Sequence, residues 1–561
     1  MSDYLFSIGG TANRIMEAVL HLCECGHFVS NILKILIIDA DENNGNKLVT
    51  EEVINSYVKC RRYYYKNGST LFKTDIQPVF KKGSIYNNDN VAKYQYVTSP
   101  VASNKKVYKI EDDMVKANKE TTTRAAINLM KALYSEEDYK RDIKGGFYSH
   151  PQIGALMFER WIEEISDDME NLLDGIRLEA ANEHVNIFIV ASSFGGTGAS
   201  GFPAIAKMIR DSVAQKDNPE RIHISGCFIL PYFKVENQAA GNRIDFTLFN
   251  ESTKNSLTYY KEHESAKLFD SIYILGSNEG IVRGSYNDIG EKQINWPHYV
   301  ELYAALAADH YFRRKYTDKY NPITDPDWLG YETNSKSASE LNWNDFPLGE
   351  ELRKSLSRFL MFNILYVPCV MKNFLTVNTA NNEPFKFETM PTTGNDCVKW
   401  PPIKTNDFGY TVFYRFKFKQ DFNIDLFTAL FLHFNHHIKW LNRMICKYNN
   451  SDDIKKQCTE REMRSIFGDN EKGRNAFQRR YEMALGSNDF NKLYLEENYT
   501  DKSESYSYLL SNIKLDNIHE KNNDTIFAVI DRLKKNYIGN TEDAVRDIIQ
   551  NVYNAISNLI K

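Results

Sequence analysis

Cysteine is scarce and unpatterned in this chain. Eight cysteines are spread over 561 residues, at positions 23, 25, 60, 227, 369, 397, 446 and 458, and no two form a CxxC pair. That argues against a zinc ribbon or a disulfide scaffold, and the expectation is a reduced, intracellular protein without structural zinc. Long apolar runs are also missing: no segment approaches the roughly 18 uninterrupted apolar residues of a membrane span. The opening residues, MSDYLFSIGGT, hold neither the basic region nor the apolar stretch of a signal peptide. An excess of one charge is lacking too. Lys and Arg number 69 against 74 Asp and Glu, for a net charge of −5, which gives no signal for nucleic acid or an anionic membrane as partner. The expected location is cytoplasmic. No unit repeats at a period of about 20–50 residues, and no low-complexity tract stands out.

What is present is an ordinary globular composition, 42% hydrophobic and 25% charged, at a length that suggests about two to four domains. The chain is organised around Asn186 to Arg210, NIFIVASSFGGTGASGFPAIAKMIR. Ile187-Phe188-Ile189-Val190 is too short for a helix and β-branched, so it reads as a buried parallel strand. The chain then breaks into Gly195-Gly196-Thr197-Gly198-Ala199-Ser200-Gly201 and resumes as a helix, with Pro203 expected in its first turn. Strand, glycine loop and helix together present backbone N–H groups and a helix dipole to one anion. No Lys follows the last glycine, so this is not a Walker A loop.

Two further units have the same form. Tyr4–Ile8 is a short strand running into Gly9-Gly10-Thr11-Ala12-Asn13-Arg14 and a helix with Ile15, Val19 and Leu22 on one face. As a dinucleotide fingerprint it fails, because Thr11 and Arg14 stand where glycines belong. Ile35–Ile38 is the second strand, ending in Asp39-Ala40-Asp41, acidic residues suited to a ribose or a Mg²⁺ or simply to a solvated strand end. Residues 43–120 form a polar excursion with a helix near Thr50–Tyr64 and short strands. A helix is expected over Thr121–Tyr134. The third glycine-bearing loop is Lys144–Ala155, with Gly145, Gly146, His150 and Gly154, feeding a helix from about Gln152; His150 is either a ligand or a loop residue before Pro151. Strands follow at Ile222–Leu230 and Phe269–Gly276, then a long helix from Trp296 to about Arg314.

Beyond about Asn321 the character changes. A helix is expected near Gly349–Phe362, strands at Asn363–Val370 and Asp407–Phe418, and a long helix over Phe422–Cys446 carrying His433, His436 and His437. With no acidic or cysteine partner at a supporting spacing, these histidines give no metal site by sequence. Lys455–Tyr494 reads as charged and helical, and Thr541–Ile560 as an amphipathic helix that packs on its own domain.

With the three loops in this order, the chain resembles the tubulin/FtsZ superfamily, as a divergent bacterial tubulin-like protein. IVASSFGGTGASGFPAIAKMI is similar to the family's signature phosphate loop, GGGTGSG or GGGTGTG after a buried strand, with Phe194 in place of the first glycine and one extra residue before the last. SIGGTANRIMEAVL resembles the opening nucleotide loop, and GGFYSHPQIGALMFE the loop that covers the terminal phosphate. The resemblance implies an α/β fold: a Rossmann-like tubulin/FtsZ GTPase domain with a parallel sheet and core helix, and an α+β C-terminal domain with a helical extension. The implied boundaries are 1–315 for the nucleotide-binding domain (43–120 an insertion, 296–314 the core helix), 316–450 for the second domain and 451–561 for the helical region. It also implies GTP/GDP and Mg²⁺ as cofactors. Gly195, Gly196, Thr197, Gly198 and Ser200 would hold phosphates, and Gly9, Gly10, Thr11 and Asn13 the phosphates and base. Gly146 and Gly154 would cover the terminal phosphate, Glu236 and Arg243 would lie where the family contacts the ribose, and Asp39 or Asp41 would hold Mg²⁺.

The family completes its site in trans, with a water-activating carboxylate from the neighbouring subunit. Here the matching segment is Asn321-Pro322-Ile323-Thr324-Asp325-Pro326-Asp327, with altered spacing and two prolines, so Asp325 and Asp327 are the candidate catalytic residues on a stiff extended loop. The first functional expectation is a GTP-binding protein with weak or assembly-dependent GTPase activity, self-associating head to tail and forming filaments. Operon-encoded protein partners are a further expectation from the resemblance. The second is a non-hydrolysing nucleotide-dependent scaffold or switch, and the third a Rossmann-type NAD-binding oxidoreductase.

Overall fold

The computed structural model describes residues 2–80, 96–101, 131–235, 249–314, 326–330 and 343–356 with short internal breaks, and isolated positions beyond, among them 429–430, 433–434, 436–437, 440, 550 and 553; the statements below concern these. In chain order the elements are β1 (Ser2–Ile8), α1 (Gly10–Glu24), β2 (Ile32–Ile38), α2 (Gly45–Tyr64), β3 (Asp75–Pro78) and β4 (Val97–Thr98). Then come α3 (Glu136–Lys140), α4 (Pro151–Glu163), α5 (Asp167–Ala180), β5 (Val185–Ser192), α6 (Gly196–Ala214), β6 (Ile222–Ile229) and β7 (Phe233–Val235). The last are α7 (Phe249–Glu262), β8 (Ser271–Leu275), β9 (Ile281–Arg283), α8 (Tyr299–Phe312) and β10 (Asp327–Leu329).

The main sheet runs β10-β8-β6-β5-β1-β2-β3, with β4 also on the outer edge of β2. Every pairing in it is parallel, so all the strands end on one edge. The strand sequences say why both faces are covered: β5 is buried at every position, and a strand with no polar face needs a layer on each side. Ile187, Ile189 and Ala191 join Phe202 and Ile205 of α6 in one core. Phe188, pointing the other way as strand alternation requires, meets Tyr311 and Phe312 of α8 at ring centroids 5.4 and 6.1 Å. Helices α4, α5 and α6 thus cover one face, and α1, α2 and α8 the other. The α/β architecture expected from the sequence is the one found.

Three helices begin where local chemistry puts them rather than where periodicity suggested. α2 starts at Gly45, not near Thr50, because the Asn44 side chain accepts from the N–H groups of Asn46 and Lys47 at 3.0 and 3.3 Å, an N-cap. It packs on α1, and β3 and β4 join the sheet, so much of the polar excursion over 43–120 builds the main domain. α6 starts at Gly196, so most of the expected glycine loop is already helical and Pro203 lies inside the helix rather than in its first turn. α8 starts at Tyr299 after His298, whose side chain caps Val300 N while Glu301 reaches back to His298 N at 2.9 Å. It is buried around nearly its whole circumference, as the expected core helix should be.

Several expectations lie outside the described residues: the helix over Thr121–Tyr134 except for its last positions, the strands at Asn363–Val370 and Asp407–Phe418, most of Phe422–Cys446, and Lys455–Tyr494. Of the terminal segment, Gln550 and Tyr553 are helical and buried. They bond to Tyr64 O and Cys25 O, so these two positions pack on the α1–α2 side of the molecule.

Candidate functional site at the carboxyl edge of the sheet

Strand order reverses at β1. From β1 the chain moves to β2 on one side, while β5 pairs on the other. This is a topological switch point, where the turns after two adjacent strands diverge and leave a crevice. The two turns are Gly9–Gly10 and Phe194–Gly195. A methyl group added at Gly9 would lie 3.4 Å from Gly198 N and 3.5 Å from Thr197 Cβ, so the first turn of α1 and the first turn of α6 are in contact. Gly9 has φ 81° and ψ 169°, a conformation open in practice only to glycine.

The first N–H groups of a helix have no partner within it. No side chain caps α1, and Gly195, the residue before α6, has no side chain with which to cap. Two helix N-termini therefore converge at one point, each with positive dipole end and amide donors. At the end of β2, Asp39 and Asp41 are both buried. Asp39 accepts from Asn13 Nδ2 at 2.9 Å and from Asp41 N at 3.2 Å. Burial pushes the Asp39 carboxyl up to about 7; Lys47 opposes the shift and Asp41 adds to it. Two carboxylates sharing a buried strand end beside two anion-seeking helix termini have the hard oxygen donor set that Mg²⁺ takes, typically one or two carboxylates.

The third loop closes the ring. A methyl group at Gly146 would lie 3.9 Å from Asp41 Cβ, and one at Gly10 would lie 3.2 Å from Asn44 Nδ2. Gly9, Gly10, Thr11, Asp39, Asp41, Gly146, Gly195, Thr197 and Gly198 are thus brought together. The geometry also gives some glycines a packing reason. A methyl group at Gly196 would lie 2.7 Å from Phe147 Cβ, and one at Gly198 2.8 Å from Ser192 N. One at Gly154 would lie 2.9 Å from Gly196 O. Those glycines let the loops close on one another.

Ser200 and Asn13 are occupied by the protein itself. Ser200 Oγ donates to Gly196 O at 2.7 Å, within its helix. Asn13 accepts from Ser7 Oγ at 2.7 Å while donating to Asp39, which makes it a positioning residue for that carboxylate. Phe194 packs against Phe249 and Tyr232 with centroids 4.9 and 6.5 Å apart, pinning the turn from below. Glu236, Arg243 and Asp325 lie outside the described residues. Asp327 opens β10, exposed, opposite Ser271 at the start of β8. In a parallel sheet that is the amino edge, the far side of the sheet from the glycine turns, and Asp327–Leu329 is a strand.

Sequence reasoning missed two features. Arg14, read only as a failed fingerprint position, is buried and bonds to Glu301 of α8 at 2.7 Å and to Tyr232 Oη at 2.5 Å. It ties the turn after β1 to the start of α8. A cavity of about 700 Å³ lies between α4, α6 and α7, lined by His150, Gln152, Ser200, Pro203, Asn255 and Tyr259 among others. It adjoins the first turns of α6, and the lining includes neither Gly9 nor Asp39 or Asp41.

A family model described as Tubulin like matches residues 7–246. No curated protein matches the chain. Among solved structures, CetZ from Methanosaeta thermophila strain DSM 6194 is similar at 14% identity, over 49% of this chain and 46% of that one, with a TM-score of 0.22; the likeness spans under half of that protein. Among the described residues no helix is long and apolar enough to cross a membrane. The glycine turns that meet at the switch point of the parallel sheet all lie within the matched stretch, and over residues 7–246 this chain is similar to the tubulin-like family.

Proposed function

We propose that this protein binds a guanine nucleotide, GTP or GDP with Mg²⁺, in the crevice between the turns after β1 and β5, and hydrolyses GTP slowly or only on assembly. The observation that carries the reading is the convergence of two helix N-termini, α1 without a side-chain cap, beside the Asp39–Asp41 pair. Amides of Gly10, Thr11, Gly196, Thr197 and Gly198 would hold phosphate oxygens. Asp39 and Asp41 would hold Mg²⁺, which neutralises phosphate charge. The test is direct: denature the purified protein and identify the nucleotide released. GTP or GDP near one equivalent supports the reading; NAD, or no nucleotide together with no binding of added GTP, overturns it.

The place of Asp327 favours head-to-tail assembly as the way hydrolysis is completed. It lies on the amino edge of the sheet, away from the glycine turns, so it can approach a nucleotide only on another copy of the chain. A non-hydrolysing switch of cytoplasmic, bacterial origin, acting with protein partners, is the second reading, motivated by the altered spacing around Asp325 and Asp327. An NAD-dependent dehydrogenase is disfavoured, because Arg14 fills the third fingerprint position and is committed to Glu301.

A further inference from the structure

At the far end of α1 from the nucleotide crevice, four titratable side chains meet in an apolar enclosure. His21 and Glu24 lie three residues apart on α1; His433 and His437 lie four apart at helical positions of the C-terminal half. Spacings of three and four put each pair on one helix face. All four side chains are fully buried. The walls are aromatic: Trp440 lies 4.7 Å from His21, Phe359 4.9 Å from His437 and Phe72 5.3 Å from His433, centroid to centroid.

A carboxylate in such surroundings must be compensated. Glu24 is surrounded by imidazole nitrogens. His21 Nδ1 lies 3.1 Å from Oε1, and His433 Nε2 and His437 Nδ1 lie closer still, on Oε2 and Oε1 respectively. Yet His433 Nε2, both nitrogens of His437 and His21 Nε2 make no hydrogen bond of acceptable geometry. The ring of His433 is oriented from behind: its Nδ1 lies 2.8 Å from Ser56 Oγ, and that hydroxyl donates to Val53 O at 3.0 Å. With the hydroxyl proton on Val53 O, His433 Nδ1 donates to Ser56 Oγ, and a neutral ring then presents the Nε2 lone pair towards the carboxylate. A neutral imidazole nitrogen and a carboxylate oxygen this close in a dry cavity are reconciled by a cation that both can bind, a proton or a metal ion. One ligand atom each from His21, Glu24 and His437 lies within 4.8 Å of the others, close enough for the three to share one ion at the roughly 2.0–2.2 Å bond lengths of a four-coordinate site after small side-chain rotations.

We propose that Glu24, with His21, His433 and His437, forms a binding site for a divalent transition metal of zinc type, which ties the C-terminal half of the chain to α1. Three imidazoles and one carboxylate, with no thiolate, suit Zn²⁺ and not the oxygen-seeking Mg²⁺ or Ca²⁺. Ser56 acts as the outer partner that fixes the tautomer of a ligating histidine. All four side chains are closed off from solvent, so the role is structural. The sequence separation of the two halves, over 400 residues, makes such a link worth more to the fold than a local contact. The proposal is independent of the nucleotide reading.

The test uses the full-length chain without a histidine tag, purified from zinc-supplemented cells and analysed for metal by mass spectrometry. About one zinc per chain is expected, with a melting temperature that falls on chelation and is restored by Zn²⁺ but not Mg²⁺. Ser56→Ala should weaken zinc affinity about 10- to 100-fold while leaving the fold intact, and His437→Ala should lower the content to background. Should His437→Ala fail to fold, cobalt(II) added to chelated wild-type protein should give the visible absorption of a tetrahedral nitrogen-rich site. Wild-type protein that carries no metal, shows no cobalt absorption and melts unchanged with Zn²⁺ overturns the proposal in favour of a cluster held by protons. So does a folded His437→Ala variant with full zinc content.

Discussion

Arg14 is a buried charge committed to one carboxylate beside the crevice. Its guanidinium and the Glu301 carboxylate are both buried, with Tyr232 Oη bonded to the pair. Burial works against the charged form of Arg14 and Glu301 restores it. Removing one partner leaves the other charged and alone, which costs about 3–5 kcal/mol. Arg14→Ala should therefore lower unfolding free energy by that order in denaturant titration, whereas an exposed control such as Lys140→Ala should change it by under about 0.5 kcal/mol. Asp39 and Asp41 make a second residue-scale case. If they hold Mg²⁺, Asp39→Ala or Asp41→Ala should remove the Mg²⁺ dependence of GTP affinity measured by calorimetry. If both variants keep it, the carboxylates serve only the Asn13 bond and the turn into α2. Gly9→Ala belongs here too. Its φ of 81° should cost about 1–3 kcal/mol in any other residue, and nucleotide affinity should fall as the turn moves.

Among the elements, β6 and α6 show how closely backbone and ring are fitted. Gly226 lies where a methyl group would come within 2.7 Å of Phe202 Cε2, and Phe202 is stacked between Phe228 and Phe269 at 4.9 and 4.5 Å. Gly226→Ala should therefore destabilise by about 1–3 kcal/mol through overpacking, read as a lowered denaturant midpoint with the slope unchanged. The glycine turn before α6 behaves alike: Gly196 accommodates Phe147, so Gly196→Val would disturb the third loop before it reached any phosphate. The strands were legible because a run such as Ile187–Val190 has no polar face. The starts of α2, α6 and α8 were not, because caps by Asn44 and His298, and a glycine segment that coils, override the apolar period.

For the molecule as a whole, the proposed function together with the opposed placement of the glycine turns and Asp327 would make turnover a property of assemblies. GTPase rate per molecule should rise with protein concentration and fall in Asp327→Ala; a fast rate independent of concentration and untouched by that change would sink the in-trans mechanism. Acid should destabilise the fold. His223, beside His184 at 3.0 Å, has its pKa lowered to about 3, first by burial and then by the charges of His184 and Arg210. Its unfolded value is about 6.5, so below that pH the unfolded chain takes the proton that the folded one refuses. The contribution is intact above pH 6.5 and is lost as pH falls towards 3. His27, lowered to about 4 by burial first and Arg313 second, adds in the same sense. Melting temperature should drop across that window, less steeply in His223→Gln.

By itself the sequence determined the alternation of apolar strands with helices, the three glycine loops and the acidic end of β2. Each is a local pattern, fixed by backbone sterics and side-chain period within a dozen residues. The meeting of those loops at one crevice was legible only through the family resemblance, since strand order is not written in any one strand. Tertiary structure alone decided that Arg14 answers Glu301, 287 residues away, and that Ser200 spends its hydroxyl on its own helix. It alone supplied the carboxylate that the histidines at 433 and 437 lacked. Their partner, Glu24, stands on the first helix, and a contact across that separation has no periodicity to announce it; packing brings it about, and burial then makes the charge matter.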